Sequence, residues 1–143
     1  MVFGVRVWLI FLACLFQYRT ETGDVRHVTA LDVNTFLREI AGVKISLKDF
    51  RTLLASISVL ETLARAARAT SSRRRRKQVL QAIRVAADDL ANTPAICRRS
   101  YVHDTVVEAF EEGVLERFSE ALKSGSPVRA AQVLAKIVAK ATE

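Results

Sequence analysis

The stretch "SLKDFRTLLASISVLETLARAARA", residues 46–69, reads as one long amphipathic helix. Ser46 stands where an N-cap would, with Asp49 three residues on in the arrangement of a capping box. Phe50, Leu53, Leu54, Ile57, Leu60 and Ala64 then recur at three- and four-residue spacing, which puts them on one helical face. The same punctuation continues on both sides. Upstream, "TALDVNTFLREIAG" opens at Thr29, places Asp32 three residues later and closes at Gly42, with Val33, Phe36, Leu37 and Ile40 as its apolar stripe. Downstream, "TSSRRRRKQ" separates the long helix from another that carries Val79, Ile83, Ala86 and Leu90. Thr93 and Pro94 start the next helix, with proline in the first turn, where its missing N–H costs nothing. A helix from Thr105 to about Lys123, with a break expected at Gly113, and one from Pro127 to Ala141 capped by Ser126 complete the chain. Ahead of these, "LFQYRTETGDVRHV" turns around Gly23 and reads as a short β-hairpin near residues 15–28. The expected fold class is therefore mainly α, with no internal repeat.

Composition narrows the possible functions. A chain of 143 residues, half of them apolar, is long enough for one domain with a core. Lys and Arg number 22 against 15 acidic residues, a formal charge of +7, which favours an anionic partner, nucleic acid before an acidic membrane surface. Cys14 and Cys97 stand far apart with no CxxC or His/Cys cluster, so neither a metal site nor a disulfide framework is expected. A reduced, intracellular setting follows. No GxGxxG or P-loop is present, and no nucleotide cofactor is expected.

The unbroken apolar run "VWLIFLACLF", Val7–Phe16, is short of the roughly 20 residues a membrane-spanning helix needs. It admits a buried strand or helix segment, an export signal in which "FLAC" faintly resembles a lipoprotein cleavage site, or a misassigned or frame-shifted start.

Two features point to chemistry. "RRRRK", Arg73–Lys77, sets Arg73, Arg74, Arg75, Arg76 and Lys77 in succession at a helix start, where positive charge opposes the macrodipole. Such a run releases counterions from duplex DNA, although a solvated basic loop has the same composition. In "NTPAICRRSYVHD", residues 92–104, Tyr101 follows Arg98 and Arg99, and only two tyrosines occur in the chain. Arg98 and Tyr101 are spaced to share a helix face. Guanidiniums stabilise a phenolate and bind phosphodiester oxygens, and tyrosine is one of the side chains that form covalent intermediates. A structural tyrosine at a helix edge is the plain alternative.

Four blocks in order, "LFQY" (15–18), "DVNTFLREIAG" (32–42), "SLKDFRT" (46–52) and "NTPAICRRSYVH" (92–103), resemble the C-terminal half of bacterial, poxvirus-like type IB DNA topoisomerases. The related tyrosine recombinases carry HxxR where this chain has "KDFR". The resemblance implies an incomplete helical catalytic domain of the topoisomerase/recombinase kind over residues 15–143, with residues 1–14 as a non-matching apolar segment. It implies that Tyr101 is the nucleophile forming a 3′-phosphotyrosyl link. Arg51 then falls on the second catalytic arginine, and Asn92 on a donor to a phosphate oxygen. Lys48, Arg98, Arg99 and the Arg73–Lys77 run become DNA-binding candidates. Double-stranded DNA is the implied partner, without cofactor, metal, ATP or membrane, in the cytoplasm at the nucleoid.

Departures from the family pattern shape the expectation for this chain. The family's first arginine and its general-acid lysine lie upstream of the block matching "LFQY", where this chain offers Arg6 alone. After "KDFRT" the family continues with Trp and small residues, whereas this chain reads "LLASIS". The expectation is a truncated or misread product with impaired strand cleavage, slower by roughly two to four powers of ten, the usual worth of a general acid. A non-catalytic basic helical DNA-binding module is the alternative, and an exported protein a third.

Overall fold

The computed structural model describes residues 16–123 and 125–141. Arg6, Cys14 and the apolar run up to Leu15 lie outside the described residues, so the readings placed on them are not addressed by the structure. The chain divides into two compact units, 1–47 and 48–143.

In the first unit, β1 (Gln17–Arg19) pairs antiparallel with β2 (Val25–His27) in the register Gln17↔His27, Tyr18↔Arg26, Arg19↔Val25. Thr20 closes the turn. Its N–H donates to Asp24 O at 2.9 Å, and its carbonyl accepts from Gly23 N at 2.9 Å. Helix α1 (Ala30–Ala41) has the expected capping box. Thr29 Oγ1 accepts from Asp32 N at 3.2 Å, and Asp32 Oδ2 accepts from Thr29 N at 2.8 Å. That backbone N–H, with the Thr29 hydroxyl second, holds the Asp32 carboxyl below the ordinary carboxylate range. Gly42 ends the helix at φ 65°, a left-handed conformation that a side chain would strain. No residue of α1 is buried.

The second unit is helical. α2 (Leu47–Arg65) is followed by α3 (Ser72–Asp89), α4 (Pro94–Ser100), α5 (Asp104–Glu111), a 3₁₀ helix (Val114–Phe118), α6 (Ser119–Lys123) and α7 (Pro127–Lys140). Ser71, Thr93 and Ser126 cap α3, α4 and α7 through their hydroxyls. α3 packs on α4, and α5 on α7 and the 3₁₀ helix. The core joins Val59, Leu60 and Leu63 of α2, Ile83 of α3, Val106 and Phe110 of α5, and Leu122 and Leu134 further on. The break expected at Gly113 is present: its φ of 80° stops α5 and starts the 3₁₀ turn. Arg68 covers that break, its Nε donating to Phe110 O at 3.0 Å and its Nη2 to Glu111 O. Phe110 O also accepts from Gly113 N at 3.1 Å, so Arg68 adds a second donor at this helix end.

One expectation fails. The stripe expected to line the core face of the long helix is exposed in its first half, at Phe50, Leu53 and Leu54. The residues that α2 does bury are Ala55, Ser56, Val59, Leu60 and Leu63. Leu60 belongs to the expected stripe, and Ile57 and Ala64 of that stripe are partly buried against the core, but the other buried residues lie on a neighbouring side of the cylinder. Apolar spacing announces a helix here, but two overlapping apolar faces run along it, and tertiary packing selects the one centred on Val59, Leu60 and Leu63.

Candidate active site around Tyr101

The turn between α3 and α4 positions the first candidate. α3 ends in a Schellman arrangement, with Asn92 N donating to Ala87 O at 2.8 Å and Ala91 N to Asp88 O at 3.1 Å. The left-handed position of this motif usually belongs to glycine. Here it is filled by Ala91, at φ 50°. The chain thus accepts local strain to turn sharply and present Asn92. Leu90 O, at the negative end of α3, is left to accept from elsewhere.

Arg51 and Asn92 both take it. Arg51 Nη2 donates to Leu90 O at 2.9 Å, and Asn92 Nδ2 donates to the same oxygen at 3.2 Å. The Arg51 guanidinium also lies over the Tyr101 ring, 5.0 Å from its centroid, within the range of a cation–π contact. The structure therefore gathers Arg51, Asn92 and Tyr101 from α2, the α3–α4 turn and the end of α4. Arg51 is half-buried, and none of the ion pairs among the described residues includes it. Its Nε is buried with no hydrogen-bond partner.

Tyr101 is held from its backbone. α4 is short, anchored by Thr93 and Pro94 at its start and by fully buried Cys97. Burial pushes the Cys97 thiol up, and the charge of Arg51 pulls the other way. Tyr101 N still donates to Cys97 O at 3.0 Å, as does Val102 N at 3.1 Å. Tyr101 itself has left helical dihedrals, at φ −131° and ψ −21°. The helical spacing from Arg98 thus does not set where its ring goes. The cation over the ring is Arg51, whereas Arg98 pairs with Asp104 at 2.6 Å and Arg99 is exposed.

The other basic candidates divide as well. Arg73, Arg74, Arg76 and Lys77 are exposed on the first turns of α3, and Lys48 is exposed at the start of α2. Arg75 points differently. Its Nε pairs with Glu111 at 2.7 Å, and its Nη1 donates to Thr70 O at 2.7 Å and to Ala69 O at 3.2 Å. It ties the start of α3 to α5. A cleft of about 440 Å³ elsewhere in this unit is lined by Leu63, Arg68, Gly113 and Lys123 and includes no member of the trio. Among the described residues no group of His, Cys, Asp and Glu is placed to hold a metal, and no helix is long and apolar enough to cross a membrane.

Sequence reading missed Ser56, Ala91 and Arg68. Ser56 carried a signal, a hydroxyl within the small-residue face of α2. Ala91 and Arg68 carried none.

The family of this chain is the one described as eukaryotic DNA topoisomerase I, catalytic core: its profile matches residues 12–124, and the chain belongs to it. Among curated proteins the chain is 28% identical over 104 residues to the DNA topoisomerase 1B of Acanthamoeba polyphaga mimivirus. The alignment covers 68% of this chain and 31% of that relative, so the chain spans about a third of its length.

Proposed function

We propose that this chain carries the nucleophile half of a type IB topoisomerase site, which cleaves and reseals one strand of double-stranded DNA through a 3′-phosphotyrosyl intermediate. The observation that supports this most is the gathering of Asn92 and Tyr101 about Arg51, which shares Leu90 O with Asn92, lies over the Tyr101 ring and keeps its buried Nε without a hydrogen-bond partner. In this reading the Tyr101 hydroxyl loses its proton as its oxygen attacks phosphorus, and the 5′-oxygen leaves and takes up a proton. Arg51 and Asn92 donate to the non-bridging oxygens, where negative charge grows in the pentacoordinate state. One phosphodiester replaces another, so religation draws on the stored bond and needs neither ATP nor metal. Arg73, Arg74, Arg76, Lys77, Lys48 and Arg99 contribute a sequence-independent hold on the DNA backbone. The bacterial, poxvirus-like branch and a place in the cytoplasm at the nucleoid belong to the same proposal. The branch rests on the blocks "KDFRT" and "NTPAICRRSYVH", and the location on the DNA partner and the sparse cysteines.

A set of nicked duplexes that put a bridging 5′-sulfur at successive phosphates tests it. A thiolate leaves without needing a proton, so the readout depends on the nucleophile and the phosphate clamp. The expected result is a covalent adduct that Tyr101→Phe abolishes and Arg51→Ala cuts by roughly a hundredfold or more, the scale of losing one transition-state donor. Salt-sensitive binding with no adduct from the wild type would leave only a basic helical DNA-binding module.

A further inference from the structure

We infer that Ser56 is a positioning residue for the nucleophile, an inference that rests on the reading of Tyr101 just given. Ser56 is 1% exposed and is the only buried polar residue among those described. A hydroxyl inside an apolar core needs partners, and a serine within a helix usually finds one in the carbonyl four residues back. Thr52, one turn earlier on α2, does this, donating to Lys48 O at 3.0 Å. Ser56 instead reaches a segment far away in sequence. Its Oγ donates to Tyr101 O at 3.3 Å and accepts from His103 N at 3.1 Å.

Those two bonds bracket the peptide groups on either side of Val102, where the chain leaves α4. Tyr101 has departed from helical geometry at that point, so the helix no longer dictates the direction of its side chain. Ser56 is what fixes the turn from the core side. Arg51 stands on the same helix, about 7.5 Å along its axis at the usual rise per residue. α2 thus carries both the guanidinium and the hydroxyl that locks the backbone of the nucleophile, and the spacing between clamp and nucleophile is set by one rigid element. Such spacing matters because a misplacement near 1 Å costs on the order of a hundredfold in rate.

The test compares Ser56→Ala with Val133→Ala, a core truncation in α7 away from the trio, as a control for lost stability. Adduct formation is followed at saturating sulfur-bridged DNA, at a temperature where both variants are fully folded. Ser56→Ala is expected to slow adduct formation roughly tenfold to a hundredfold with DNA affinity unchanged. It should also speed hydrogen exchange at the His103 amide. Val133→Ala is expected to stay within about twofold of wild type in rate, as a site with no shared partners should. A Ser56→Ala rate equal to that of the control, or an unchanged His103 amide, would overturn the positioning role and leave the topoisomerase reading intact. A wild type that forms no adduct would overturn that reading and this inference with it.

Discussion

Helices α1 and α7 carry apolar stripes with the same spacing and opposite fates. In α1 the stripe is Val33, Phe36, Leu37 and Ile40, and no residue of the helix is buried. In α7 it is Ala130, Val133, Leu134 and Ile137, and all of them are buried. Periodicity makes both segments helical, but it does not supply the partner surface that turns a stripe into a core. α7 lies in the unit that also assembles Arg51, Asn92 and Tyr101, so the candidate site sits on a frame held by packing. α1 is held by its ends, through the Thr29–Asp32 box and Gly42.

The largest expected difference comes from matched truncations. Ile137→Ala should cost about 2–4 kcal/mol by leaving a cavity, and Ile40→Ala, whose side chain is 70% exposed, at most about 0.5 kcal/mol. Denaturant unfolding of the two variants checks this. A comparable loss from both would mean that the α1 stripe is covered after all.

A second contrast falls within the basic run. Arg75→Ala should lower stability by about 1–2 kcal/mol, since it removes bonds to Glu111, Ala69 and Thr70 and leaves their acceptors open. Arg74→Ala should be nearly neutral for stability. For DNA the order reverses. Arg74→Ala should reduce the slope of log affinity against log salt by about 1, and Arg75→Ala should hardly change it. Thermal unfolding and salt titrations of both variants separate the two roles.

The smallest effect concerns the caps of α1. The Asp32 carboxyl is held below its ordinary range by the Thr29 N–H and hydroxyl, so it binds its proton more readily in the unfolded chain. The contribution of the box is therefore complete above the ordinary carboxylate range, and it fades as pH falls through the depressed value. Amide exchange in α1 should quicken in that acid window while exchange in α7 does not follow it. Thr29→Ala should weaken α1 by about 1 kcal/mol at neutral pH.

Much of this was legible in the sequence because it is local. The hairpin turn at Gly23, the caps at Thr29, Thr93 and Ser126, and the stops at Gly42 and Gly113 all depend on neighbours within a few residues. The buried face of α2 was not legible, because Phe50, Leu53 and Leu54 form as good a stripe as Ala55, Val59 and Leu63, and only tertiary packing chooses between them. Family resemblance singled out Arg51, Asn92 and Tyr101 as candidates, but their contacts could not be read from it. Arg98 looked like the cation for Tyr101 by spacing, yet Tyr101 leaves the helix and Arg51 lies over its ring. Ser56 showed only as a hydroxyl on the buried face of α2, and because a serine in a helix normally satisfies itself, its distant partners could not be read from that.

The central claim is that Tyr101 is the residue that joins DNA. Digesting a trapped adduct and sequencing the modified peptide by mass spectrometry tests it most directly. The account predicts a DNA 3′-phosphate esterified to the hydroxyl of Tyr101. A link to Tyr18 or to any other residue, or a 5′-phosphate linkage, would contradict it.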